Sequence, residues 1–206
     1  MDEIGLFPLG IVLLPGEEIP LHIFEPRYRE LIGECLELGR EFGLILADGG
    51  GLREVGTVAA VREVLERHDD GRLDIVVRGR SRFRVVQLTS GRSFQTARIE
   101  PFEDAPDAAA PDEAERALTL FERLVELTGS DVDPPEDPAS PQLSFELAAR
   151  FEFAPPLEQE LLQERSERRR LVRLCELLEG AATVVAHQQE VAARAATNGK
   201  VQPGPS

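Results

Sequence analysis

Residues Phe7–Ile32 read FPLGIVLLPGEEIPLHIFEPRYRELI, and the prolines in this stretch divide it into elements. Ile11–Leu14 is apolar throughout and closes on Pro15-Gly16, a turn signal, so a short buried strand is expected there. Extended chain resumes over Ile19–Phe24. Glu25-Pro26 then opens a helix, because a proline in the first turn gives up an N–H that has no intrahelical partner anyway. Tyr28, Leu31, Ile32, Cys35 and Leu38 recur at helical spacing as one apolar stripe, and Gly39 is the expected stop.

The chain on the C-terminal side continues as β structure. Phe42–Ala47 reads as a buried strand and Asp48–Gly51 as a loop. Gly56–Arg67 and Arg72–Val77 flank Asp69-Asp70-Gly71, a hairpin turn in which glycine supplies a positive φ. Arg82–Leu88 and Phe94–Phe102 flank Ser90-Gly91-Arg92 in the same way. Between them, Arg78, Arg80, Arg82 and Arg84 alternate with smaller or apolar residues, which predicts four arginines on one strand face. The expected partners of that face are acidic groups across the strand, such as Glu63, Glu66 or Asp74. Gly79 marks a bulge or tight bend.

Beyond residue 104 the pattern turns helical. A Pro/Ala/Asp segment leads into a helix from about Pro111 to Thr128, and an acidic proline loop follows over Asp131–Pro138. Ser140-Pro141 opens a helix to about Phe151, Leu157–Gln163 forms a short one, and Ser166–Ala196 a long one that Gly180 bends or splits. Residues 198–206 are expected to be a disordered tail. The fold class is therefore α+β. Residues 1–104 form a β-rich subdomain, 105–137 an acidic linker with its first helix, and 138–197 a helical subdomain.

Composition limits the chemistry. The 206 residues carry 38 Asp+Glu and 23 Lys+Arg, a formal charge of −15. Over half of that sits in residues 105–137, which hold 10 acidic and 2 basic residues. So acidic a chain is a poor partner for a phosphate backbone, and no nucleic acid is expected. The one lysine, Lys200, lies near the C-terminus, whereas a Walker A loop, a Ser–Lys dyad and a pyridoxal-phosphate Schiff base each need a lysine at the reacting centre. Cys35 and Cys175 share no zinc or redox spacing and read as buried free thiols. His22, His68 and His187 share no metal spacing with each other or with the cysteines, so neither a metal nor another cofactor is expected. A Glu or Asp could complete a site with one of these histidines only through the fold. The N-terminus opens on acid and is broken by Pro8, Gly10 and Pro15, unlike a signal peptide, and no apolar run approaches a membrane span. A cytoplasmic protein with no membrane partner is the expectation.

The opening stretch also resembles the start of the N-terminal, substrate-binding domain of Lon proteases. The shared pattern falls on Pro8-Leu9, Pro15-Gly16, Pro20-Leu21, Phe24 and Arg27-Tyr28. A second block runs from Val55-Gly56-Thr57 through Asp70-Gly71-Arg72-Leu73 to Gly79 and Arg82-Phe83, and Leu143–Glu164 is similar to the family's helical half. The resemblance implies a PUA-like β pseudo-barrel packed on a helical bundle, without the ATPase and peptidase modules of the full protease. It implies a non-catalytic module that recognises unfolded or exposed apolar polypeptide, or an adaptor for a protease or chaperone partner. Leu21, Ile23, Phe24, Arg27, Tyr28, Arg82 and Phe83 are the candidate binding residues it points to. For Arg27 and Tyr28 a structural role is the stronger reading, with Tyr28 packed on the barrel and Arg27 paired with a nearby glutamate. The run Arg168–Arg170 with Arg165 and Arg173 reads as an ordinary solvated helix face. A small-ligand or folded-partner role unrelated to proteolysis is the alternative. A homodimer is possible along Ala181, Val184, Val185 and Ala192.

Overall fold

The computed structural model describes residues 2–198; residues 199–206 of the expected tail, Lys200 among them, lie outside them. Among the described residues, seven strands and five helices follow in order. β1 (Asp2–Leu9) pairs antiparallel with β7 (Thr96–Pro101) on one side and parallel with β3 (Phe42–Asp48) on the other. β3 pairs with β5 (Val55–Arg67), β5 with β6 (Leu73–Thr89), and β6 with β7. The hydrogen-bonded circuit β1-β7-β6-β5-β3 thus closes on itself, so the main strands leave few open edges. A two-residue strand, β4 (Gly51–Leu52), extends β3.

β6 is one continuous strand of 17 residues where two were expected. Its second half closes the barrel, while its first half projects with β5 as an arm. On that arm β2 (Glu18–Ile23) pairs, among the described residues, with β6 alone. The register slips near Gly79, whose Cβ, if it had one, would stand 2.2 Å from the Leu14 carbonyl oxygen. Only glycine fits there, because the loop between β1 and β2 crosses the strand at this point. The Gly79 N–H donates to the Glu17 carbonyl at 2.9 Å, and the Gly16 N–H to the Gly79 carbonyl at 3.0 Å.

That crossing loop contains Ile11–Leu14, which is not a strand. Its apolar run is spent on plugging. Leu13 enters the core between the barrel and α1 (Pro26–Leu38), whereas Val12 and Leu14 enter the core of the helical half. The Leu13 carbonyl is satisfied by Thr57 Oγ1 at 2.5 Å and the Leu14 N–H by the Glu17 carboxylate at 2.7 Å, so no ladder is needed. The strand lies instead at β1, which includes Pro8, a residue that reads as a breaker.

α1 buries Tyr28, Leu31, Ile32 and Cys35 of the expected stripe but leaves Leu38, at its last turn, exposed, and it stops at Gly39 in the left-handed region. α2 (Pro111–Thr128) keeps the expected bounds. α3 (Leu143–Ala148) is only six residues, shorter than expected; α4 spans Pro155–Gln163. α5 (Glu167–Asn198) runs through Gly180 without splitting and includes Asn198, which had been assigned to the tail. Ala181 and Val185 pack against the helical core and Val184 is exposed, so the apolar continuation of α5 is partly intramolecular. No helix among the described residues is long and apolar enough to cross a membrane.

Candidate functional site

A concavity of about 970 Å³ lies between the segment Asp104–Pro111, one face of α2 and the loop Pro138–Pro141. Its apolar lining comes from Ala and Pro of the first segment, Ala114 and Leu118 of α2, Leu143 of α3 and Leu171 of α5. Carboxylates border it: Asp104, Asp107, Glu115, Glu122 and Glu167. It is thus an apolar trough with an acidic margin, of a size suited to a short peptide segment.

The walls are fixed locally. Pro111 starts α2, and the Glu113 carboxylate turns back to accept the Ala110 N–H at 2.6 Å, satisfying a donor of the helix start. The linker strand is tied to the start of α5 by three bonds. The Ala105 N–H donates to the Arg165 carbonyl at 2.8 Å, Ser166 Oγ to the Asp107 carboxylate at 2.6 Å, and the Arg168 N–H to the Asp107 carbonyl at 3.3 Å. Ser166 Oγ in turn accepts the Arg169 N–H at 3.0 Å and caps α5. The segment whose composition suggests a solvated linker is therefore a positioned wall.

Beneath the trough lies a buried ion cluster. The Arg170 side chain is fully enclosed, and each of its five N–H donors has an acceptor. Nε donates to Ser144 Oγ at 2.9 Å. Nη1 donates to Asp104 Oδ1 and the Glu164 carbonyl, both at 2.7 Å. Nη2 donates to Asp104 Oδ2 at 2.7 Å and Glu167 Oε2 at 2.6 Å. The guanidinium lies 4.2 Å from the Phe145 ring centroid. Arg82 approaches the same Asp104 from the barrel side and also donates to the carbonyls of Leu162 at 2.7 Å and Glu164 at 2.8 Å. Burial works against charge on both arginines. At Arg170 the bonds from Asp104 and Glu167 outweigh it and hold the group above its ordinary pKa; at Arg82 burial prevails and lowers it. Burial also raises the Glu167 carboxyl, opposed by its Ser144 and Arg170 bonds.

These contacts correct two expectations. Arg82 does not share a solvated face with its neighbours: it is buried, while Arg78, Arg80 and Arg84 pair at the surface with Glu18, Glu41 and Glu100 instead of Glu63, Glu66 or Asp74. The slip in register at Gly79 breaks the period of two on which one face depended. Arg170 is likewise no part of a solvated helix face. Its neighbours Arg168, Arg169 and Arg173 are, pairing with Asp107 and Glu113, Glu164, and Glu160 and Glu176.

The candidate binding residues do not converge. Ile23 and Tyr28 are buried in the core between the barrel and α1, Tyr28 packing on Phe7 with ring centroids 4.0 Å apart, Phe83 is buried in a separate cluster of the barrel, and Arg82 belongs to the ion cluster just described. Burial withholds these four from a partner's reach. Leu21 is half-buried on β2. Phe24 is 59% exposed at the end of β2. Arg27 is exposed, bonded to Glu25 at 2.9 Å and lying over the Tyr28 ring. Phe24 and Arg27 are the surface members of the set. The trough residues escaped the sequence reading, although the Ala/Pro alternation with acid in residues 104–111 was their visible trace.

The thiols offer no nucleophile. Both are buried and free, and burial pushes Cys35 up to about 11 and raises Cys175.

Comparison with known proteins bears on the whole chain. Residues 3–180 match the family described as the ATP-dependent protease La (LON) substrate-binding domain. A Lon protease from Paraburkholderia phytofirmans is 25% identical over 92% of this chain and 26% of its own length. Protein cereblon from Xenopus tropicalis is 30% identical over 48% of this chain and 24% of its own. The chain thus spans about a quarter or less of the curated relatives it matches. The crystal structure of a Lon N-terminal domain protein from Xanthomonas campestris superposes with a TM-score of 0.68 at 28% identity, covering 84% of this chain and 97% of that one. The N-terminal domain of a Mycobacterium avium complex Lon protease shares the fold at 17% identity, with a TM-score of 0.64. A closed barrel with an arm, docked on helices through Arg82 and Arg170 and matched over residues 3–180, places this chain in the Lon substrate-binding domain family.

Proposed function

We propose that this protein is a non-catalytic polypeptide-recognition module, and that the trough between Asp104–Pro111 and α2 receives an extended, unfolded segment. Family membership supports the class of ligand, and the trough carries its location: an apolar floor bordered by carboxylates. The preferred segment has apolar side chains for Leu118, Leu143 and Leu171, and Lys or Arg on its flanks for Glu115 and Glu122. Binding needs neither ATP nor catalysis by this chain. A protease or chaperone that receives the bound segment is the natural partner.

Fluorescence anisotropy with labelled unstructured peptides tests this. An apolar peptide with basic flanks should bind with a Kd below ~100 μM. Acidic flanks should weaken it by about tenfold, and Leu118→Arg should abolish it. Absence of binding by denatured proteins and peptides up to ~100 μM would reject the module, leaving a folded partner or small ligand.

A second reading rests on β2, which among the described residues pairs only with β6 and ends on exposed Phe24. A peptide could add to that free edge. Pro20, lacking an N–H, weakens the edge as a template. Loss of peptide binding in Phe24→Ala but not in Leu118→Arg would favour it.

A further inference from the structure

Three side chains that share no sequence spacing meet at the far end of the β5–β6 arm. His22 on β2 and Asp74 on β6 are direct cross-strand partners, and His68 stands at the turn that joins β5 to β6. His22 Nδ1 lies 2.5 Å from Asp74 Oδ1, and His68 Nε2 lies 2.7 Å from Asp74 Oδ2. One potential ligand atom from each residue falls within 4.8 Å of the other two. The fold therefore assembles what the sequence spacing did not disclose.

We propose that His22, His68 and Asp74 form a binding site for a divalent first-row transition cation of the zinc type. Two imidazoles and a carboxylate suit such a cation and are a poor set for Mg²⁺ or Ca²⁺, which prefer oxygen ligands. The geometry also supplies an outer partner. Glu66, which is opposite Asp74 in the β5–β6 register, places Oε1 3.5 Å from His68 Nδ1, the nitrogen left free when Nε2 takes the metal. A carboxylate on the far nitrogen fixes the tautomer and orientation of a ligating histidine. Phe24 stacks against His22 with ring centroids 6.0 Å apart and limits the swing of that imidazole. The side chains of His22, His68 and Asp74 keep 45%, 24% and 31% of their surface, so a cation has a direct path from solvent. Three protein ligands leave a fourth tetrahedral position to water. A cation there would join β2, the β5–β6 turn and β6, stapling the otherwise single-sided pairing of β2.

Calorimetric titration of the full untagged chain with ZnCl₂ at pH 7.5 tests the site. One equivalent should bind with a Kd below ~100 μM, while MgCl₂ and CaCl₂ give no saturable heat. His22→Ala and Asp74→Asn should each weaken binding by about tenfold or more, and His187→Ala should leave it unchanged. Nitrogen-15 spectra of the histidine rings should show the metal on Nδ1 of His22 and Nε2 of His68. The wild-type titration decides without relying on any variant folding. No saturable binding below ~100 μM, or binding that shifts neither His22 nor His68 resonances, overturns the proposal, and the three groups are then a hydrogen-bonded cluster that ties β2 to the arm.

Discussion

Arg78 and Arg170 carry the same cation into opposite surroundings. On the arm of β6, Arg78 reaches Glu18 at 3.8 Å with about half of each side chain in water. At the junction with the helices, Arg170 is enclosed, and its guanidinium spans Asp104, Glu167, Ser144 and the Glu164 carbonyl. In the first place water screens the pair and would take over if it broke. In the second, the guanidinium is sealed from water, so a lost partner is poorly replaced. Burial, more than the count of ion pairs, decides which arginine matters.

Substitution breaks this contrast at its strongest point first. Arg170→Ala leaves Glu167 without a cation and Asp104 with Arg82 alone, and should lower unfolding free energy by about 3–5 kcal/mol in urea titrations. Arg82→Ala removes the donor to the Leu162 carbonyl and one of the two arginine donors to the Glu164 carbonyl, and should cost about 2–3 kcal/mol. A loss below ~1 kcal/mol in both would mean that the junction tolerates water and the contrast is false.

The second test concerns acid. Glu158 on α4 has its pKa pushed up to about 7, by burial first and then by the nearby charges of Glu17 and Glu152. The folded chain thus holds a proton at this site that the unfolded chain releases near pH 4.5. Stability should fall as pH rises from about 4.5 to about 7 through this group, and Glu158→Gln should flatten that slope. Melting curves of both forms across this interval check it; an unchanged slope refutes the assignment. The smallest effect belongs to the arm: Arg78→Ala should change stability by no more than about 0.5 kcal/mol.

The sequence makes the first-order fold legible wherever one local rule suffices. Pro26 and Gly39 bracket α1, Pro111 and Gly129 bracket α2, and Gly71 marks the arm's turn, because caps and turns depend on the residues that form them. The crossing loop shows the limit. Ile11–Leu14 has the composition of a buried strand and is buried, yet its partners are the Thr57 hydroxyl, the Glu17 carboxylate and two different cores. Arg82 and Arg170 stand at alternating or helical positions that ordinarily face water. Their burial comes from Asp104, 22 residues from one and 66 from the other, which no local period contains. The trough was hidden similarly: its Ala/Pro wall has a linker's composition, and only its ties to Ser166 and Arg165 make it a surface. Among the candidate binding residues, the family motif drew attention to side chains that build the barrel, of which Phe24 and Arg27 alone reach well into solvent.

The circuit of strands also sets an order of events during synthesis. β1 leaves the ribosome first, but its two neighbours are β3, which ends at Asp48, and β7, which ends at Pro101. For the time taken to make about fifty further residues the nascent chain holds β1 with one side unsealed, some seconds at usual elongation rates. Arg82 waits longer still, since Leu162 and Glu164 are made eighty residues after it. The barrel is therefore completed late and docked later, and a pause in translation before residue 101 would expose its first strand to other chains.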